Sequence, residues 1–144
     1  MESLQKSVQT VIESGRIGSP VFLRCVCQIA TRTSLLQPAA AVMTLANGWM
    51  PAEPERIYAQ GDADATQITL TVQYAGGQSA MLSVNRTQVS PECDVMLIGN
   101  KGVIYHETPI GRHSMSATPL EIGDAAELTP LIAQVLESGQ PTLL

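Results

Sequence analysis

Three cysteines, two histidines and a short row of polar side chains carry most of the chemistry available to this 144-residue chain. Cys25 and Cys27 stand two apart in an apolar, β-branched run, so strand alternation points both to one face. Residues i and i+2 of one strand do not have the spacing of an ordinary disulfide. A C-x-C pair without a second ligand pair is also a poor zinc signal, because structural zinc takes four N or S ligands. Cys93 is remote in sequence, and neither His106 nor His113 falls into ligand spacing with the pair. Buried, reduced thiols are expected, as in a cytoplasmic protein, and no metal site. His106 follows Tyr105 on what reads as an edge hairpin, and the neighbouring carboxylate, Glu107, points to the opposite face. His106 therefore reads as structural or solvent-exposed. His113, in Gly111-Arg112-His113-Ser114, reads as part of a loop rather than as an anion site with Arg112. Ser114 and Ser116 beside it lack a nucleophile elbow. Arg24, Gln28 and Arg32 alternate onto one face of the first strand-like run. They suit either a small polar pocket for a carboxylate or sugar hydroxyls, or the solvated or subunit-facing side of a sheet, and the second is favoured. No catalytic residue is assigned.

Composition narrows the function classes. Aromatic residues make up 3% of the chain, so a stacking platform for sugars or bases lacks its material. A net charge of −5, with eight scattered basic residues, argues against nucleic acid. The N-terminal decapeptide is polar, without an apolar signal core, and no apolar run approaches the ~18 residues of a membrane span. One domain is expected over residues 1–144, in the cytoplasm.

The elements that must position these side chains follow from periodicity. Leu4, Val8, Val11 and Ile12 form one helical stripe, stopped at Gly15. Residues 21–31 read as a long strand, with Val21, Leu23, Cys25, Cys27 and Ile29 on an apolar face and Phe22, Arg24, Val26 and Gln28 on a mixed one. Pro38 sits at a helix start, residues 39–46 are strong helix formers, and Asn47-Gly48 supply a stop. Residues 55–60 read as a short strand. Ile68, Leu70, Val72 and Tyr74, then Ala80, Leu82 and Val84, alternate across a Gly76-Gly77 hairpin turn. Residues 94–98 and 103–107 are joined by Asn100-Lys101-Gly102, expected to use positive φ angles. A last helix, capped by Asp124, carries Leu128, Leu131, Ile132, Val135 and Leu136 and ends at Gly139 and Pro141. The predicted class is α+β: an open antiparallel sheet of five or six strands with helices on one face.

The order of these pieces resembles the C-terminal domain of the Gfo/Idh/MocA oxidoreductases, the glucose–fructose oxidoreductase and inositol dehydrogenase family. Ile12-Glu13-Ser14-Gly15-Arg16-Ile17-Gly18-Ser19-Pro20-Val21 resembles that family's "I-x-S-G-x-I-G-x-P/V" segment. Pro54-Glu55-Arg56-Ile57-Tyr58-Ala59 resembles its "P-x-R-V-x-A" strand. Thr69-Leu70-Thr71-Val72-Gln73-Tyr74-Ala75-Gly76-Gly77 is similar to "v-t-l-x-f-x-n-G". Leu97-Ile98-Gly99-Asn100-Lys101-Gly102-Val103-Ile104 is similar to "l-x-G-t-k-G-x-i". Glu137-Ser138-Gly139-Gln140-Pro141 closes the last helix as "I-x-x-G-x-P" does. The resemblance covers nearly the whole chain and implies the sheet domain shared with glyceraldehyde-3-phosphate dehydrogenase-like oxidoreductases.

The resemblance also shows what is missing. The family's N-terminal Rossmann domain holds NAD(P) and supplies an E-K-P lysine. This sequence has no G-x-G-x-x-G between strand and helix and no E-K-P. The family's "G-x-H-x-x-D" helix corresponds to residues 38–46, which contain no ionisable group, and such a helix cannot relay a proton. The chain alone is therefore expected to bind no cofactor and to catalyse nothing.

Thr69, Thr71, Gln73, Met81, Ser83 and Asn85 form a flat, polar and uncharged face with a methionine, the composition of an interface rather than of a solvated sheet. In the resembled family this face packs against another subunit, which implies a homodimer. Three arrangements are compatible: a self-associating module that binds a ligand or partner, one subunit of a split NAD(P)-dependent sugar or polyol oxidoreductase, or a truncated dehydrogenase. Met1 directly before a complete helix speaks against the third.

Overall fold

In the computed structural model, which describes residues 4–30, 32–62, 64, 66–88, 92–107 and 126–144, the alternating runs become one seven-stranded sheet. In chain order the elements are α1 (Leu4–Glu13), β1 (Pro20–Ile29), α2 (Leu36–Trp49), β2 (Pro54–Gly61), β3 (Gln67–Tyr74), β4 (Ser79–Arg86), β5 (Glu92–Gly99) and β6 (Val103–His106). A 3₁₀ turn (Ala126–Leu128), α3 (Thr129–Ser138) and β7 (Thr142–Leu143) complete it. The strands lie in the order β6-β5-β1-β4-β3-β2-β7.

The α+β class is as expected, but the sheet is wider than five or six strands and it is mixed. β1 pairs antiparallel with β5 and parallel with β4. Parallel neighbours need a long crossover, here through α2, β2 and β3, and local alternation carries no trace of which strand the chain returns to. β7 is two residues long and pairs with Arg56 and Ile57 of β2, too short for any periodic signal.

One sheet face is apolar throughout. Leu23, Ile57, Ile68, Leu70, Val72, Leu82, Val84 and Leu97 on it are all essentially inaccessible. α2 packs on this face, and α1 and α3 pack beside α2. Pro38, Ala39, Ala40, Ala41, Val42, Met43, Ala46 and Trp49 of α2 are all buried, so the helix is enclosed over most of its circumference, and a narrow stripe of Gln37, Thr44 and Gly48 reaches solvent. Leu4 and Val8 bury the stripe of α1, and Ile132 and Val135 that of α3.

α2 does not stop at Asn47-Gly48. It runs to Trp49, and the Met50 amide still donates to the Ala46 carbonyl at 3.1 Å. Burial of Trp49 outweighs the glycine, and Asn47 is occupied, accepting the Tyr74 hydroxyl on Oδ1 at 2.8 Å. β1 likewise ends at Ile29, short of residue 31, and Val21, expected on the apolar face, is 41% exposed beside a register shift between Pro20 and Phe22. Asp124, the expected cap, lies outside the described residues. The residue preceding α3 is Leu128, with no side-chain cap, while Gly139 closes α3 with φ 63° as anticipated.

Two of the recognised segments meet in space. The Lys101 amide donates to the Ile17 carbonyl at 2.9 Å, and the Asn100 amide to the Ser19 carbonyl at 3.0 Å. Asn100 Oδ1 accepts the Ser19 amide at 2.9 Å. This clasp fixes the 99–102 connection, and none of Asn100, Lys101 or Gly102 has a positive φ, contrary to expectation. Local turn propensity is overridden by bonds to the α1–β1 turn. Gly99 sits so close to this turn that a Cβ there would fall on the Ile17 carbonyl oxygen.

Gly99→Ala is accordingly expected to cost about 2 kcal/mol, whereas Gly48→Ala, in open space within a helix, should gain about 0.5–1 kcal/mol. Urea melts of the two variants check both signs. Burial pushes the Tyr74 phenol well above its ordinary range. The unfolded chain then ionises first, so this part of the stability is complete below an unfolded pKa of about 10 and is lost as pH rises through the higher folded value. Tyr74→Phe should cost about 1 kcal/mol at neutral pH and flatten the alkaline decline.

Candidate functional site

The β1–β5 register gathers the three cysteines. Cys27 stands directly opposite Cys93, and Cys25 one alternation further along on the same apolar face. Sγ of Cys27 lies 3.0 Å from that of Cys93 and 3.6 Å from that of Cys25, and the Cys25–Cys93 separation is 3.8 Å. All three are free thiols, with Cys25 1%, Cys27 3% and Cys93 9% exposed. Among the described residues they are the one group of three His, Cys, Asp or Glu side chains close enough to share an ion.

Three thiols at these distances share their protons. Hydrogen bonds from Cys25 and Cys27 hold Cys93 well below the usual thiol range, against the opposing effect of burial, and His106 acts in the same direction as the bonds. Cys27 is pushed far up by its bonds to Cys25 and Cys93 and by burial. For Cys25 the bond to Cys27 works downward but is outweighed by the bond to Cys93 and by burial, which leave it well above the ordinary value. The direction of these effects makes Cys93 the thiol of the three that gives up its proton most readily. His106 is half-buried on edge strand β6, opposite Val95 and on the same face as the cysteines.

Sequence spacing placed Cys25 and Cys27 together but left Cys93 apart. The pair Cys27–Cys93 is separated by 66 residues, and only the strand order brings them together. The one available signal was phase: Cys93, Val95 and Leu97 alternate in step with Leu23, Cys25 and Cys27.

The opposite face of the sheet holds the other singled-out residues. Thr69, Thr71 and Gln73 of β3 and Met81, Ser83 and Asn85 of β4 all point away from the helices, with Thr71 opposite Met81 and Thr69 opposite Ser83. Asn85 donates to the Ser83 hydroxyl at 3.0 Å and Gln67 to that of Thr69 at 3.0 Å, so these amides lie along their strands. Arg24 and Gln28 share this face, about 13 Å apart along β1. Arg32 lies beyond the end of β1, in an exposed bend. His113, Arg112, Ser114 and Ser116 lie outside the described residues.

A single row crosses six strands of this face: Tyr105, Met96, Arg24, Met81, Thr71 and Tyr58. One adjoining row is Val103, Ile98, Phe22, Ser79, Gln73 and Arg56. Tyr105 is 64% exposed, Val103 53% and Met81 46%, so the apolar and polar surface extends past the β3–β4 hairpin to the far edge, with Arg24 within it and Asp94, Glu92 and Arg56 in the flanking rows. The sequence reading confined it to the hairpin, because β6 is short and its neighbour unknown without the strand order.

No family model matches the sequence. A comparison with curated proteins finds no match either. Solved structures do match. Myo-inositol dehydrogenase from Corynebacterium glutamicum superposes with a TM-score of 0.73 at 10% identity, over 97% of this chain and 61% of that one. Scyllo-inositol dehydrogenase from Lactobacillus casei, with bound NAD(H) and scyllo-inositol, gives 0.72 at 11% identity over 96% and 61%. Myo-inositol dehydrogenase from the same organism, with NAD(H) and myo-inositol, gives 0.66 at 14% over 99% and 59%. The fold is that of the C-terminal domain of Gfo/Idh/MocA-type inositol dehydrogenases. The chain spans about three-fifths of the length of these enzymes. Helix α2 carries no ionisable side chain. No helix among the described residues is long and apolar enough to cross a membrane.

The thiol assignment has a direct check. In the presence of a chelator, iodoacetamide should label Cys93 before Cys25 or Cys27. Its rate should persist at pH 6, where thiols of ordinary pKa, about 8.5, are protonated. Peptide mapping that finds Cys25 or Cys27 modified first would contradict this order of acidity.

Proposed function

We propose that this chain is a non-catalytic module of dehydrogenase fold that pairs with a second copy of itself through the open face of its sheet. The observation that carries this reading is the row from Tyr105 to Tyr58, which has one charged side chain, Arg24, in six strands. The other charged side chains of this face, Asp94, Glu92 and Arg56, stand in the flanking rows, so charge borders the patch rather than filling it, as at the rim of an interface. Exposed tyrosine and methionine with little charge make the composition of an interface core. Two copies related by a two-fold axis set these weakly charged rows against each other in an isologous contact. The chain works in the cytoplasm under this reading and binds no dinucleotide by itself.

A second reading is favoured by one observation, the three-fifths coverage of inositol dehydrogenases that bind NAD(H). A separate Rossmann-type chain would then supply NAD(P) and the reacting lysine, and this domain would serve as scaffold for a split sugar or polyol oxidoreductase.

Native mass spectrometry should give twice the chain mass, and Thr71→Arg or Tyr105→Arg should reduce it to the single chain with the fold retained. A dimer unchanged by both variants would sink the assignment of this face. Titration with NADH should leave the cofactor's fluorescence unchanged, and a saturable quench would overturn the non-catalytic reading. Affinity capture from the host that returns a stoichiometric Rossmann-type chain would select the second reading.

A further inference from the structure

The thiol cluster lies on the sheet face opposite the proposed dimer contact and plays no part in it. Three sulfurs projecting from two adjacent strands form a triangle with sides of 3.0, 3.6 and 3.8 Å. The two longer sides match the edge of a tetrahedron of thiolates around one ion, about 3.8 Å for a metal–sulfur bond of about 2.3 Å. An ion that distance from all three would stand about 1 Å out of their plane, the tripod geometry of a thiolate site with one position left over. The short side places Cys27 and Cys93 closer than two sulfurs in simple van der Waals contact, so the backbone holds the ligand atoms convergent before any ion arrives. The strand positions that do this, i and i+2 on β1 and the residue opposite on β5, sit inside the pinned central part of the sheet.

The donor set also selects the ion. Among the described residues no carboxylate or imidazole joins the three sulfurs within ligand-sharing distance. Hard cations, which want oxygen, find nothing here, while soft thiolate donors favour Cu(I) and Zn(II). Val95 and Val84, opposite Cys25 and Cys27, are buried and line the surroundings with hydrocarbon, which keeps water away from bound metal. Cys93, the most exposed of the three, gives the ion its way in.

We propose that Cys25, Cys27 and Cys93 form a three-sulfur site for a single thiophilic d¹⁰ cation, Cu(I) or Zn(II). The domain thereby has a metal-binding activity separate from any dehydrogenase chemistry.

The test uses the full chain, reduced and anaerobic, with two ions. Cd(II), standing in for Zn(II), should raise a sulfur-to-metal charge-transfer band that saturates at one equivalent. Cu(I) should be drawn from a colorimetric chelator at one per chain, with copper-edge absorption showing a sulfur-only first shell. Saturation by Cd(II) alone assigns the site to Zn(II)-like ions, and capture of Cu(I) alone assigns it to copper. Cys27→Ala and Cys93→Ala, which keep the site apolar, should each weaken binding by at least about 100-fold. Bound ion should also raise the melting temperature of the wild-type chain. If the wild type gives neither the band nor Cu(I) capture, the proposal fails, whatever the variants do. It fails equally if both alanine variants fold and bind as tightly as the wild type.

Discussion

The structure depends on the register of β1 between β5 and β4. Side chains alternate with a period of two, so a slip of one residue would exchange the two faces of β1 entirely. Leu23, Cys25 and Cys27 would go to the open side and Arg24 would be driven into α2. The clasp between residues 17–19 and 99–101 prevents this by tying the start of β1 to the end of β5 with three hydrogen bonds. Gly99 permits the approach because it presents no Cβ to the Ile17 carbonyl. Two short segments, unremarkable as motifs, become one device when they meet.

From that register the two faces acquire different physics. On the helix side, close packing excludes water, and three thiols placed there lie within 3.8 Å of one another. On the other side, the same strands present a broad surface with polar but mostly uncharged side chains that satisfy one another along the strands. A single set of strand positions thus specifies a dry thiol cluster on one face and an open, largely polar surface on the other.

Much of this was legible in the chain. Alternation at 68–74 and 80–84 gave the hairpin and its faces, and Gly15, Gly77 and Gly139 marked turns or caps with positive φ, as observed. The helical stripes of α1 and α3 were also readable. What the sequence withheld was long-range. The parallel pairing of β1 with β4, the docking of β7 and the meeting of Cys93 with Cys27 depend on strand order, which no local pattern encodes. Where local signals failed, tertiary contacts had won: burial of Trp49 carried α2 through Gly48, and the clasp removed the need for positive φ at residues 100–102. The site suffered more than the fold, because a cluster made from two strands has no contiguous signature.

Helix α2 carries a consequence for descent. Positions 38–43 of this helix are all enclosed, and a carboxylate or imidazole placed at one of them would be desolvated without a partner, while the exposed positions 37, 44 and 48 face away from the sheet. Substituting one residue therefore loses stability before it gains any reactivity, and several neighbours would have to change together to open a wetted groove. Packing of this kind acts as a ratchet: once the helix has closed over its own core, small steps lead toward further uses of the scaffold and away from proton-transfer chemistry.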